Sequence, residues 1–227
     1  MLNNCPNRNK KKKFVTTLLN WEKKFGRDFS WRQNRSPYNV FITEFLLKRT
    51  TSTAAQKFYI QFLDRYPTLF EIKRSNIHDL EQFLQPIGLQ KQRSRGIKEA
   101  AEFIIKNYGG ELPNTFDELI KIPHVGNYSA ACILSFGMGI PAPAIDSNGV
   151  RVISNVFKNQ LDPSISIKTI LQFSWDLISP RDHTLFNYGL IDLGALLCSY
   201  RGCSKEKCPM RIICDTYQTQ KKQKNES

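Results

Sequence analysis

The stretch IPHVGNYSAACILSFGMGIPAPAID, Ile122 to Asp146, decides the fold. Ahead of it, apolar spacing predicts a helix over Thr115–Lys121, and within it a second over Asn127–Gly137, so only IPHVG joins the two. Helices so closely linked must turn back on each other as a hairpin. The turn residues His124, Val125 and Gly126, with Asn127 and Ser129 opening the second helix, expose backbone N–H groups at a helix N-terminus, where an anion is favoured. Such a hairpin can hold a nucleic-acid phosphate by backbone geometry, which reads no sequence. An ordinary αα-corner has the same local signature. Beyond the helix the loop GMGIPAP leads to Asp146, eighteen residues after Tyr128.

Outward from this stretch, apolar residues recur at three- and four-residue spacing nearly everywhere, and no alternating strand stands out, so the fold class is all-α. The pattern predicts further helices over Lys11–Phe25, Tyr38–Lys48, Thr53–Tyr66, Ile77–Leu84, Gln92–Tyr108, Ser147–Phe157, Ile167–Leu177 and Thr184–Leu197, punctuated by SP, NYGGELP, GMGIPAP and SPRD. Phe58/Phe62 and Phe70/Phe83 read as core packing rather than a base-stacking surface.

The 227 residues, 41% apolar and 23% charged, suffice for one large or two small globular domains. A formal charge of +13 points to a polyanionic partner. Apolar runs break off well short of a membrane span, and MLNNCPNRNKKKK has no apolar core behind its charges, which excludes a secretory signal. That start is either a basic arm touching phosphates or a solvated tail, and QTQKKQKNES at the other end reads as a disordered tail.

CSYRGCSKEKCPMRIIC places thiols at Cys198, Cys203, Cys208 and Cys214. Four cysteines so close together, in a chain without an export signal, argue against disulfides and for a thiolate site, either a 4Fe–4S cluster or tetrahedral zinc. Cys5 and Cys132 need no role. Asp146, a carboxylate at a helix entry, reads on its own as the N-cap or a neighbour of one.

Taken together, SPYNVFITEFLLKRTT, IGLQKQR, ELPNTFDELIKIPHVG, AIDSNGVRV and LIDLGALLC resemble the helix-hairpin-helix DNA glycosylases of the endonuclease III superfamily, over Phe29 to Tyr217. The likeness is greatest to the enzymes that remove thymine or uracil opposite guanine, and next to the adenine glycosylases, whose extra C-terminal recognition domain has no room here. The resemblance implies a two-domain helix-hairpin-helix glycosylase fold with a C-terminal four-cysteine metal loop. Its parts would be an N-terminal arm and helix (1–36) packing with the C-terminal domain, a central helical domain (37–155), a C-terminal helical domain (156–217) and a disordered tail (218–227), with the active cleft between domains.

The resemblance also implies roles. Asp146 stands where the family has its catalytic aspartate, able to stabilise an oxocarbenium-like sugar and align water. Tyr128 stands where bifunctional members carry a lysine; a phenol forms no Schiff base, which implies a monofunctional enzyme. Glu44 matches the glutamate that acts as general acid in adenine glycosylases, and its apolar helix suggests a raised pKa. Arg49 falls where relatives fill the vacated base stack and Leu89 where they place a wedge, while Arg93 and Arg95 are candidate phosphate contacts. The implied partner is double-stranded DNA with a mismatched or damaged base, bound by a monomeric, cytoplasmic, nucleoid-associated protein of prokaryotic type, with no membrane partner.

The sequence departs from the family twice. His124 replaces the first glycine of the usual P-G-V-G, a strain if that site needs positive φ. The cysteine spacing is C-x4-C-x4-C-x5-C instead of C-x6-C-x2-C-x5-C, with Lys205 where the second thiol is expected. A 4Fe–4S cluster is the cofactor reading and zinc the alternative. Rival functions are an adenine glycosylase, a bifunctional glycosylase/lyase and a non-catalytic DNA-binding protein.

Overall fold

A computed structural model describes residues 7–161, 166–199, 202–203 and 207–225. In chain order the helices begin with α1 (Arg8–Phe25), α2 (Ser30–Gln33), α3 (Pro37–Leu47), α4 (Ser52–Arg65), α5 (Leu69–Arg74) and α6 (Ile77–Leu84). There follow α7 (Gln90–Tyr108), α8 (Phe116–Leu119), α9 (Asn127–Cys132), α10 (Ser147–Val156), α11 (Ile167–Trp175), α12 (His183–Leu196) and α13 (Asp215–Asn225). The only strands among the described residues are β1 (Cys198–Ser199) and β2 (Gly202–Cys203). No described helix is long and apolar enough to cross a membrane.

The chain forms two compact units, one comprising Asp28–Ile140 and the other Met1–Arg27 with Pro141–Ser227. The central unit runs from α2 through α9. Ser36 caps α3, accepting from Asn39 N at 3.1 Å, with Pro37 at the first helical position, where its missing N–H costs nothing. Phe41, Phe62, Ile72, Leu80, Ile97 and Leu119 are fully buried in this unit.

Two expected helices leave regular α-geometry before their expected ends. Helix α8 stops at Leu119 because Lys121 N and Ile122 N bond three residues back, to Glu118 O and Leu119 O at 3.1 Å. Helix α9 passes at Ile133 into a π-helical turn reaching Gly137, where a Cβ would lie 2.9 Å from Pro37 Cα. The short α2 and α5 escaped the periodicity because helices of four and six residues carry too little of it.

The terminal unit packs α1 along α12. At Gly189 a Cβ would stand 2.9 Å from Leu18 Cγ, so the close approach needs glycine. Phe14, Leu18, Phe157 and Phe186 are fully buried there, each contributing about 1.5–3 kcal/mol. Helix α10, placed in the central segment by the sequence reading, packs in this unit against α12.

Both tails are more ordered than expected. Helix α1 starts at Arg8 because Lys10 pairs with Asp215 at 2.6 Å above the Phe157 ring, and Lys11 with Asp176 at 3.0 Å above Phe173. Residues 218–225, expected to be disordered, continue α13, whose start is tied down by Asp215 accepting from Lys10 and from Asn159 N. The first six residues of the arm, with Cys5, and Lys205 in the cysteine loop lie outside the described residues.

Asp192, which the sequence reading passed over, is fully buried on α12. Its carboxylate accepts from Arg27 N at 2.6 Å and Arg27 Nε at 2.8 Å, fixing the exit of α1. Removing one partner of a buried pair strands the other. Asp192→Ala should therefore lower unfolding free energy by about 3 kcal/mol in urea titrations, and Asp192→Asn by less.

Candidate functional site

On α3, Glu44 lies among buried Phe41, Phe45 and Leu46 but is itself only half-buried. The buried Ser129 hydroxyl on α9 donates to its Oε2 at 3.1 Å. Glu44 is thus turned toward α9, whose second residue, Tyr128, is half-buried. One turn beyond Glu44, Lys48 stacks 4.3 Å from the Phe45 ring and donates to His124 O at 2.7 Å. Burial pulls its pKa down and Arg93 adds to that, while the Glu44 carboxylate works the other way.

The hairpin closes with Val125 N bonded to Ile122 O at 3.1 Å, and α9 begins at Asn127 behind Gly126, which offers the first-turn N–H groups no side-chain acceptor. His124 has φ +65°, so the left-handed backbone that glycine would occupy freely is borne here by histidine. Its Nε2 meets Glu99 Oε2 at 2.6 Å, and its ring lies over α7 where a Cβ on Gly96 would stand 3.3 Å from Cγ. Sequence reading could not find Glu99: it is 25 residues away.

Among the described non-glycine residues, positive φ occurs at Arg49 (54°), Leu89 (52°) and His124 (65°). All three line one cavity of about 290 Å³, with Phe45, Lys48, Gln92, Arg93 and Gly96. Left-handed side-chain residues cost about 1 kcal/mol or more apiece, and such strain gathers at functional sites. Arg93 itself is buried and its pKa lowered by desolvation; its guanidinium points inward, which corrects its reading as a phosphate contact. Arg95 stays exposed, 3.6 Å from Glu99.

In the terminal unit Asp146 is the N-cap of α10, its Oδ1 accepting from Gly149 N at 2.8 Å. Its Oδ2 accepts from Asn148 Nδ2, also at 2.8 Å, so both oxygens are oriented. The chain of bonds continues: Asn148 Oδ1 accepts from Arg151 Nη2 at 2.7 Å, and Arg151 donates to Gly194 O at 2.7 Å and Cys198 O at 2.6 Å. Gly194 is the contact that permits this, because a Cβ there would lie 2.5 Å from Asn148 Cβ. The SNG after Asp146, polar residues at a helix entry, was the available signal for Asn148.

The cysteine loop begins as a hairpin in which Cys198 faces Cys203 across β1 and β2, bringing the displaced second thiol residue opposite the first. Asn155 Nδ2 donates to Cys198 Sγ, and Cys214 Sγ donates to Asn155 O, both at 3.4 Å. Cys208 and Cys214 are buried in the same core. The Cys203 side chain lies outside the description, and no group of three possible metal ligands is assembled among the described residues. The thiol donors are of the type a soft metal takes, and two of them, Cys198 and Cys214, meet at Asn155.

Residues 42–177 match the HhH-GPD superfamily of base excision DNA repair proteins. The chain belongs to that superfamily. A thymine/uracil-DNA glycosylase of Methanothermobacter thermautotrophicus is 34% identical over 212 residues, spanning 92% of this chain and 96% of that protein. An adenine DNA glycosylase of Buchnera aphidicola is 30% identical over 206 residues, 90% of this chain but 58% of that protein. The structure of a thermostable thymine-DNA glycosylase superposes with a TM-score of 0.87 at 33% identity, covering 93% of this chain and 98% of that one. An endonuclease III–DNA complex shares the fold, with a TM-score of 0.79 at 23% identity, covering 93% and 98%.

Within this HhH-GPD chain the hairpin histidine has an energetic signature. Left-handed strain of about 1 kcal/mol is offset by a pair whose side chains are 39% and 46% exposed, hence worth about 0.2–1 kcal/mol. His124→Gly should leave the melting temperature within about 2 °C of wild type in calorimetry. Gly194→Ala is expected to displace Asn148 from Asp146 and slow DNA base release by about tenfold in single-turnover assays.

Proposed function

We propose that this chain is a monofunctional DNA glycosylase that releases thymine or uracil opposite guanine in base excision repair. The observation that carries the proposal is the Asp146 carboxylate, held by two donors at 2.8 Å in a chain of this superfamily. As the C1′–N bond breaks, the electron pair leaves with the base and the sugar becomes oxocarbenium-like. A fixed carboxylate stabilises that charge and aligns the water that adds to C1′. Its two donors restrain rotation, so little reorganisation is required during the reaction.

Glu44, bonded to Ser129, handles the proton or water on the base side, and Tyr128 lines the site beside the extruded nucleotide. Arg49 and Leu89 fill the emptied stack. His124, Val125, Gly126, Asn127 and Ser129 form the phosphate-holding hairpin, acting through the first-turn N–H groups. The thymine/uracil relative aligned along nearly its whole length favours a pyrimidine target over adenine. The protein is read as a monomer acting on mismatched duplex DNA in the cytoplasm, at the nucleoid.

Cys198, Cys203, Cys208 and Cys214 would hold a 4Fe–4S cluster, with zinc as the alternative occupant. Such a group would supply no redox step to a hydrolysis; its contribution is to fix the loop whose Cys198 carbonyl receives Arg151. Iron, acid-labile sulfide and zinc assays on the purified protein distinguish the occupants. The proposal expects iron and sulfide in equal amounts.

Duplexes bearing G·T, G·U, G·A and 8-oxoguanine·A, treated with alkali after incubation, rank the targets. The expected order places G·U and G·T first, with no strand scission before alkali. Asp146→Asn should reduce base release by about 100-fold or more while retaining DNA binding. Tyr128→Lys should introduce a borohydride-trappable adduct. Release of adenine alone, or full activity in Asp146→Asn, would overturn the reading.

A further inference from the structure

Arg93 is buried near the start of α7, and its guanidinium is shared between two loops. Nη1 donates to Phe45 O, and Nη2 to Lys48 O at 3.0 Å and Thr50 Oγ1 at 2.9 Å. Nε reaches Gly88 O at 3.4 Å. Thr50 Oγ1 lies 3.3 Å from both Lys48 O and Ile87 O, joining the same two loops a second time.

Two of these acceptors have a particular place in the chain. Lys48 O belongs to the peptide that enters Arg49, and Gly88 O to the peptide that enters Leu89. One side chain therefore orients the peptide plane in front of each of two left-handed residues, Arg49 at φ 54° and Leu89 at φ 52°. Both side chains are exposed at the mouth of the shared cavity. Neither residue favours this backbone region, so without the guanidinium only the Thr50 hydroxyl contact to Ile87 O would still couple the two loops.

We infer that Arg93 is a positioning residue for base extrusion, holding Arg49 and Leu89 as one rigid pair that enters the DNA together. The inference rests on the roles proposed above for those two residues. A planar fork sends three nitrogens in fixed directions to acceptors on two loops, whereas an ammonium must serve its acceptors from a single nitrogen. The expected defect of Arg93→Lys is thus in opening the base stack, with bond cleavage itself spared.

The test compares single-turnover release of uracil paired with guanine against uracil opposite an abasic site, where no partner base has to be displaced. Arg93→Lys should slow the paired substrate by about tenfold and the unpaired one by less than about threefold. A 2-aminopurine beside the target should brighten less on binding than with wild type. Arg49→Ala and Leu89→Ala should show the same pattern. Thr50→Val, which removes only the hydroxyl link, should show a weaker form of it and covers the case in which Arg93→Lys folds poorly. Equal losses on both substrates, or no loss on either, would overturn the inference, as would wild-type behaviour of Arg49→Ala and Leu89→Ala. Failure of the functional reading would look different: the wild-type chain would then release no base from either duplex, and the inference would fall with it.

Discussion

The structure turns on how one carboxylate is held. Asp146 ends an apolar loop and opens α10, so its Oδ1 serves as an ordinary helix cap to Gly149 N. Capping and chemistry are often treated as competing explanations of such a residue. Here they are compatible, because a cap fixes the rotamer of the acid, which is what the proposed role asks of it. Asn148 orients the other oxygen, Arg151 orients Asn148, and the carbonyls of Gly194 and Cys198 anchor Arg151. The cysteine loop is therefore connected by hydrogen bonds to the acid, so a group held there by thiolates would act structurally in the proposed reaction, which transfers no electrons.

The central unit solves a different problem. In the proposed reading it presents side chains that enter DNA and a backbone turn that receives a phosphate, and the residues concerned include three in disfavoured backbone regions. Arg49, Leu89 and His124 line a single cavity, and each is restrained by a neighbour: the first two through Arg93, the third through Glu99. The restraints differ in kind. Arg93 is buried and its bonds are charge-assisted, so they hold firmly. The His124–Glu99 pair is exposed and roughly balances the strain it opposes.

Much was legible in the sequence. The three- and four-residue apolar spacing marked the long helices, IPHVG marked the hairpin, and Asp146, Tyr128 and Glu44 were singled out by residue type and family pattern. Short elements were not legible: α2 and α5 hold too few turns to show a period. The order at the two ends was also hidden. Lys10 and Lys11 read as free positive charge, because their partners Asp215 and Asp176 are more than 160 residues away. Arg93 looked like a surface cation for the same reason, since its acceptors are backbone carbonyls that carry no sequence signal.

The sequence by itself determined the helical class, the superfamily and the chemical types available: an acid after a Gly/Pro-rich loop, a phenol at the hairpin, and a set of soft thiol donors. These follow from local periodicity and residue identity, which need no long-range contact. Only the tertiary structure decided what each charged group is for. Whether an arginine meets phosphate or carbonyl, and whether a lysine is free or paired, depends on atoms brought close by packing. The 2.8 Å bond from Asn148 to Asp146 and the inward turn of Arg93 are of that kind.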